Sequence, residues 1–389
     1  SSLYNIIDSI YIGQGVGPYA IAGLALTFPL MNLGAAFGSL VGVGAVTSIS
    51  VYLGQKIYDT AQKVFGNAII LNLIIGVVYM CVTLAFLKPI LYFFGASDNT
   101  INYSQDFMTV ILAGNIITHE YFGMNAMQRA AGYPKQAMYA TVLTIFNNII
   151  LGALFILVFK WGIRGAAFAT ILSQFISLCW IVKLYTNKDN LIRFSSGIYK
   201  LRKRLVTDIL SIGAAPFLMN IAACLIVILI NKGLYTYGGD MAIGAYGIVN
   251  RVLFLFGMIV MGLNQGMQPI AGFNYGAKKY DRLNIVLKYT LYSATAVMCF
   301  GFIVAELFPH YIARAFTTDK NLIDMAANGM RIATICAPVV GLQMVTSNFF
   351  QSIKMPGKAI FLSLSRQLII LLPCLIILPA FYEVNGVWM

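Results

Sequence analysis

Few side chains in this 389-residue sequence could do chemistry, and those few stand alone in apolar surroundings. Two of them are acids. Asp8 precedes a run without any charge up to Lys56, and Glu120 is the one charge between Phe107 and Gln128. An ionised aspartate at the centre of a membrane helix costs about 2.5–3.5 kcal/mol on insertion scales, so such a group belongs against protein or in a water-filled cavity. There it can hold a proton or a cation but not both, which is the chemistry of ion coupling. Asp8 can equally serve as a helix–helix hydrogen bond or sit at the interface. Glu120, with His119 beside it, reads either as a proton carrier or as the partner of an arginine or a backbone group. Arg251, Arg331 and Arg366 also interrupt apolar segments. Being always protonated, they cannot carry a coupling proton. They pair with acids or helix ends, reach for the interface, or meet an anionic substrate.

Enzyme chemistry finds no support. It needs a convergent set, such as paired carboxylates or a His–acid–metal cluster, and the only histidines are His119 and His310 on different segments. The six cysteines (81, 179, 224, 299, 336 and 374) all fall in apolar stretches with no close pair for redox or metal work. No metal site and no organic cofactor are expected. The formal charge of +13 does not point to nucleic acid, because the basic residues fall mainly in short connectors rather than in a basic arm.

The elements that must position these residues are membrane helices. The chain is 59% hydrophobic and only 10% charged, whereas soluble domains carry about 25% charged residues. Its 35 glycines and many aromatics suit close helix packing and headgroup-level rings. Apolar segments at 65–87, 104–127, 136–159, 163–183, 208–231, 241–268, 285–307, 324–350 and 358–381 join two in the first 56 residues and one begun at the end. Each is near the roughly 20 residues a span needs. The expected fold is an all-α integral membrane protein of twelve transmembrane helices, the first and last incomplete in this chain.

Alternate connectors differ in charge. One set holds 17 of the 26 Lys and Arg and the opposite set six. This bias places the richer set, with both termini, in the cytoplasm. A repeat runs through the chain at an offset of 222: Gly17 with Gly239, Gly44 with Gly266, Gly54 with Gly276, Lys56 with Lys278, Tyr58-Asp59 with Tyr280-Asp281, and Pro134 with Pro356. Six helices per repeat means two lobes inserted the same way up, related by an axis along the membrane normal. The expected organisation is an N-terminal lobe at 1–184, a cytoplasmic linker at 185–207, partly an amphipathic interfacial helix, and a C-terminal lobe at 208–389. Two parallel lobes around a central cleft suit alternating access better than a channel or a docking scaffold.

The stretch Gly239-Asp-Met-Ala-Ile-Gly-Ala-Tyr-Gly-Ile-Val-Asn-Arg251 resembles the multidrug and toxic compound extrusion (MATE) family of secondary transporters. So do Gly262 through Lys279, Tyr4 through Gly13, Gln128 through Lys135 and Gly162 through Gln174. The sequence is most similar to the bacterial branch of DinF-like and MepA-like exporters. The resemblance implies a multi-pass protein of the bacterial cytoplasmic membrane, monomeric and in contact with membrane lipids, that exports small cationic amphipathic compounds against H⁺ or Na⁺. It also implies a coupling site at Asp8, where Na⁺ can bind, with Asn125, Asn148 and Thr170 around it. The family's second carboxylate, four residues after Asn148, is absent: Gly152 stands there. Glu120 is a candidate substitute within the chain. Gln265, Gln268, Phe254, Met258 and Arg251 are candidates for the substrate cleft. Pro29 and Pro216 are candidate hinges, with Pro269 and Pro338 as further kinks. The competing transport reading is a flippase or exporter of an anionic or lipid-linked substrate, which the three intramembrane arginines would suit.

Overall fold

The computed structural model describes residues 11–12, 15–187, 190–317 and 319–388, and Asp8 lies outside them. Among the described residues all regular structure is helical. By its contacts the chain divides into two compact units, Ser1–Gly213 and Ala214–Met389.

The first unit contains α1 (Pro18–Gly54), α2 (Tyr58–Ala85), the short α3 (Leu87–Phe93), α4 (Ile101–Ala113), α5 (Asn115–Ala130), α6 (Pro134–Ala153) and α7 (Gly162–Tyr185). Helix α6 runs on into a π-helical turn at Leu154–Val158. Next comes a helix from Lys203 to Gly276 that breaks at Gly239 (φ 63°), giving α8 (Lys203–Gly239) and α9 (Met241–Gly276). The second unit continues with α10 (Tyr280–Leu307), α11 (Pro309–Arg314), α12 (Lys320–Thr334), α13 (Ala337–Ser352), α14 (Pro356–Leu364), a π-helical turn (Ser365–Leu371) and α15 (Leu372–Trp388). Eight helices among the described residues are each long and apolar enough to cross a membrane, and α12 with α13, bent by 49°, are so when taken together. Helices α4 and α5 abut in the same broken way at Gly114.

Burial runs opposite to a water-soluble protein. Thr47, Ser48, Ser50, Asn67 and Asn72 are wholly buried, while Val78, Val142, Phe300, Phe361 and Phe381 are exposed. Apolar side chains on the outer faces need no cover where the surrounding solvent is hydrocarbon.

The repeat is written in the backbone as well as in the sequence. Four helices, matched in pairs across the repeat, end in one and the same turn, which also closes α3 at Ala96 and Gly95. At α1 the Ile57 N–H donates to Tyr52 O (2.9 Å) and Lys56 N–H to Leu53 O (3.0 Å). The same pair of bonds closes α5 at Tyr133 and Gly132, α9 at Lys279 and Lys278, and α13 at Met355 and Lys354. The pivot residues take positive φ, between 57° and 94°. This is the Schellman closure, which satisfies the last carbonyls of a helix. Three of the four pivots are lysines (56, 278 and 354), although a left-handed conformation costs a side-chain-bearing residue about 1 kcal/mol. A cation there offsets the negative end of the helix dipole. Lys56 and Lys278, Gly132 and Lys354, the breaks at Gly17 and Gly239, at Phe86 and Phe308, and at Gly114 and Cys336 are all 222 apart.

Two details depart from expectation. The described part of the 185–207 connector beyond Tyr185 and before Lys203 holds no helix. Side-chain amides of α2 hold its bends and turns in place instead: Asn67 Nδ2 donates to Ile198 O (3.3 Å) and Lys200 O (3.1 Å), and Arg202 N–H donates to Asn67 Oδ1 (2.8 Å). Ile192 and Ile198 are buried under it. Pro338 does not kink a helix either. It sits in the first turn of α13, where its missing N–H is not needed.

Helix α1 crosses the first turns of α8 with almost no space between backbones. A Cβ on Gly213 would lie 1.6 Å from Leu40 O, and one on Gly44 would lie 2.0 Å from Ile209 O. Gly213→Val should therefore force the helices apart and destabilise the first unit by about 1–3 kcal/mol. A fall in melting temperature of the detergent-solubilised protein would show it, and an unchanged value would disprove the close crossing. Asn67→Leu should cost about 1–2 kcal/mol at the connector. Faster tryptic cleavage after Arg193, Lys200 or Arg202 is the expected readout, and unchanged cleavage would refute the pinning role.

Candidate coupling and substrate site

Helix α5 is the hub of the first unit, and its polar residues divide between two sides. Toward α6 and α7, Thr118 Oγ1 donates to Gln174 Oε1 at 2.6 Å. One turn on, Thr144 Oγ1 lies 2.8 Å from Tyr121 Oη and 2.7 Å from Ser177 Oγ. Further along the α6–α7 seam Asn148 Nδ2 donates to Thr170 Oγ1 (3.2 Å), and Asn148 Oδ1 is buried with no hydrogen-bond partner among the described residues. Toward α1 and α2, Asn115 Nδ2 donates to Gly76 O (3.2 Å). The His119 ring stacks on Tyr79 at 6.4 Å. Tyr79 Oη in turn donates to Leu30 O (2.6 Å), next to Pro29 in the middle of α1. Gly123 allows Gly42 of α1 and the Asn72 amide of α2 to close in.

Glu120 is buried in this packing at 7% exposure. Among the described residues neither of its carboxyl oxygens meets a hydrogen-bond donor, and neither polar atom of Asn72 has a partner. It forms no ion pair with a described residue: those of the first unit are Lys63–Asp59 and Arg164–Asp106, and Asn125 takes up Arg129. Burying an ionised carboxylate without donors is strongly unfavourable. Among the described residues Glu120 has neither an arginine nor a backbone group as its partner.

Of the residues expected at the coupling site, Asn148 and Thr170 come together and Asp8 lies outside the described residues. Asn125 is used elsewhere. Its Nδ2 donates to Ala137 O (2.9 Å) and its Oδ1 accepts from Arg129 Nη1 (2.7 Å), fastening the α5–α6 turn. Ala137 precedes Asn148 by 11 positions, or about 16 Å along α6. Thr118, Tyr121, Thr144, Gln174, Ser177 and Asn72 were not singled out from sequence. Thr144 and Ser177, like Asn148 and Thr170, lie across antiparallel helices, and that register is not visible without the fold.

In the second unit Gln268 is buried and engaged, while Gln265 and Phe254 are exposed, and Met258 is half-buried. Arg251 is exposed, with its guanidinium 6.0 Å from the Phe316 ring centre. Arg331 pairs with Glu306 at 3.9 Å. Pro216 lies within α8, and its carbonyl accepts from Asn220 Nδ2 (2.9 Å). Away from these residues, a groove of about 800 Å³ in the first unit is walled by Phe155, Trp161, Phe168 and Phe175. Arg164 at its edge is paired with Asp106 at 2.7 Å.

Comparison with known proteins places the whole chain. The family model MatE matches residues 1–154 and 214–376, two stretches that follow the duplication. The multidrug export protein MepA of Staphylococcus haemolyticus (strain JCSC1435) is 26% identical over 387 residues, covering 100% of this chain and 85% of that protein. The MATE multidrug transporter DinF-BH, solved as a complex, is 32% identical with a TM-score of 0.90, over 99% of this chain and 86% of that one. A MOP superfamily transporter from Pyrococcus furiosus Vc1 (DSM3638) is 25% identical with a TM-score of 0.91, over 100% and 87%. For that protein a binding pocket of reverse polarity has been taken to suggest a different function. The match across most of both repeats identifies this multi-pass helical membrane protein as a member of the MatE family of transporters.

Proposed function

We propose that this chain exports amphipathic organic compounds, cationic ones in the first place, from a bacterial cell by alternating access coupled to inward flow of H⁺ or Na⁺. The names of its full-length relatives support multidrug export. The observation that carries the coupling is Glu120, a buried carboxyl without a donor at the hub of the first unit. A group of this kind is stable with a proton or a bound cation and costly without either, so its occupancy biases the packing of α5 against α1 and α2. Asp8, with Asn148 and Thr170, supplies the other half of this ion-handling machinery. The inner-membrane location, cytoplasmic termini and monomeric state belong to the same proposal, and the lysines at the turns at 56, 278 and 354 support the orientation.

The chain in inside-out proteoliposomes should take up a fluorescent lipophilic cation when a proton or a sodium gradient is imposed, and the effective gradient names the ion. Glu120→Gln and Asp8→Asn should each lower gradient-driven uptake by about tenfold or more, the scale of losing a coupling group. Uptake by Glu120→Gln equal to that of the parent would remove Glu120 from the mechanism. Failure of the parent under both gradients would refute cation export.

A further inference from the structure

The connector between α7 and α8 carries more than a link between two helices needs. From Asn190 to Thr207 the chain holds five bases, Arg193, Lys200, Arg202, Lys203 and Arg204, and no acid. All five are exposed. Three apolar side chains stand exposed among them: Leu191 at 56%, Tyr199 at 42% and Leu201 at 46%. Their neighbours Ile192 and Ile198 are buried. The segment thus has an inner apolar face that packs and an outer face on which bases alternate with apolar groups. Bases alone suffice to set the orientation of a membrane protein, and that role gives no reason to expose apolar side chains between them.

The segment lies as a strap on the first turns of α2. Gln62 Nε2 donates to Arg193 O, and Arg193 N–H donates to Gln62 Oε1 (3.2 Å). The Phe194 ring packs on Phe65 at 5.6 Å and on Tyr185 at 5.9 Å between centres. Asn67 holds the backbone from Ile198 to Arg202. Of the acids close by, Asp59 in the first turn of α2 pairs with Lys63, and Asp208 accepts from Tyr52 Oη (3.4 Å). Helix α2 has 28 residues, or about 42 Å, against a hydrocarbon layer about 30 Å thick. Its ends therefore reach into the headgroup layers, and Gln62 lies about 6 Å from its start. Helices α7 and α8, which the strap joins, are also long and apolar enough to cross a membrane. The bases are consequently held at the level of the headgroups.

A cluster of four to eight Lys and Arg directly beside a membrane span attracts anionic lipid. Apolar and aromatic side chains at that level enter the boundary between headgroups and acyl chains. We propose that the strap and the first turn of α8, residues 190–204, form a docking surface for the headgroups of anionic phospholipids. The five bases meet the phosphates, and Leu191, Tyr199 and Leu201 enter the boundary beneath them. This goes beyond the exporter reading and holds whatever the chain transports.

The test compares the affinities of NBD-labelled phosphatidylglycerol and NBD-labelled phosphatidylcholine for the purified full chain in neutral detergent, read by the anisotropy of the label. Phosphatidylglycerol should bind at least about tenfold more tightly at low ionic strength. Most of that preference should vanish at about 0.5 M salt, where exposed charges are screened. The combined variant Lys200→Gln, Arg202→Gln, Lys203→Gln, Arg204→Gln should reduce the preference to about twofold or less. A control, Lys278→Gln, Lys279→Gln, Arg282→Gln, Lys288→Gln, removes as many exposed bases at the start of α10 and the turn before it, and it should keep the preference. Equal affinity of the unaltered protein for the two lipids would overturn the surface whether or not the variants fold. Equal loss in both variants would reduce the effect to diffuse charge and overturn it too. Binding of polyglutamate without any preference between the lipids would give the strap to an acidic protein and refute the lipid assignment. Cation uptake by the unaltered protein, measured in parallel, bears on the export reading alone.

Discussion

Hydrocarbon supplies no hydrogen bonds, so a polar group carried into it is answered by the protein or left as a cost. That constraint orders the first unit. Helix α5 is placed so that Thr118 and Tyr121 are met from α6 and α7, while Asn115 is met from α2. The few groups left over then acquire meaning. Glu120, His119, Asn72 and Asn148 in the first unit, and Asn264, Gln343 and Gln367 in the second, are among the places where the protein tolerates an unanswered polar atom. Among the described residues one unit leaves an acid, Glu120, unanswered and the other a cation, Arg366. The two repeats have thus kept the same backbone landmarks while diverging in the sign of the charge they leave without a partner among the described residues.

Glycine makes those close arrangements possible. Gly42 and Gly123 let α1 and α5 meet beside Glu120, and Gly44 and Gly213 let α1 and α8 touch backbone to backbone. Apolar surface gives helices no reason to associate when lipid is equally apolar, so contact of this closeness, with hydrogen bonds across it, supplies the attraction. The same reasoning explains the connector after α7. It buries two isoleucines and is held in register by the amide of Asn67, which bonds to three of its backbone groups, and by that of Gln62, which bonds to Arg193.

Much of the fold was legible in the sequence because membrane helices are announced by the absence of charge. The turns at Lys56, Lys278 and Pro356 and the break at Gly239 all lay on the repeat. The gap between α12 and α13 escaped notice because Ile335 and Cys336 are apolar and carry no turn signal. Pro338 just beyond could have marked a helix start. Of the site, the meeting of Asn148 with Thr170 followed from family likeness, whereas Asn125 went to a structural turn that the same likeness did not separate from it. Thr144, Ser177, Gln174 and Asn72 were hidden because a hydroxyl or amide in a membrane helix gains significance only from what stands opposite it. Arg366 was visible as an anomaly, but its lack of a partner needed the packing of α13 and α14.

The division between the two compact units falls inside α8, at Gly213, three residues before Pro216. The first turns of the second repeat therefore serve as packing for the first. When an ancestral six-helix protein was duplicated, the join did not remain a dispensable string between copies. It became a buried part of one of them, through Ile198 under α2 and Ile209 against Gly44. A recombination event that exchanged one half for that of a relative would carry the wrong residues into that crossing, so the two halves are constrained to be inherited together.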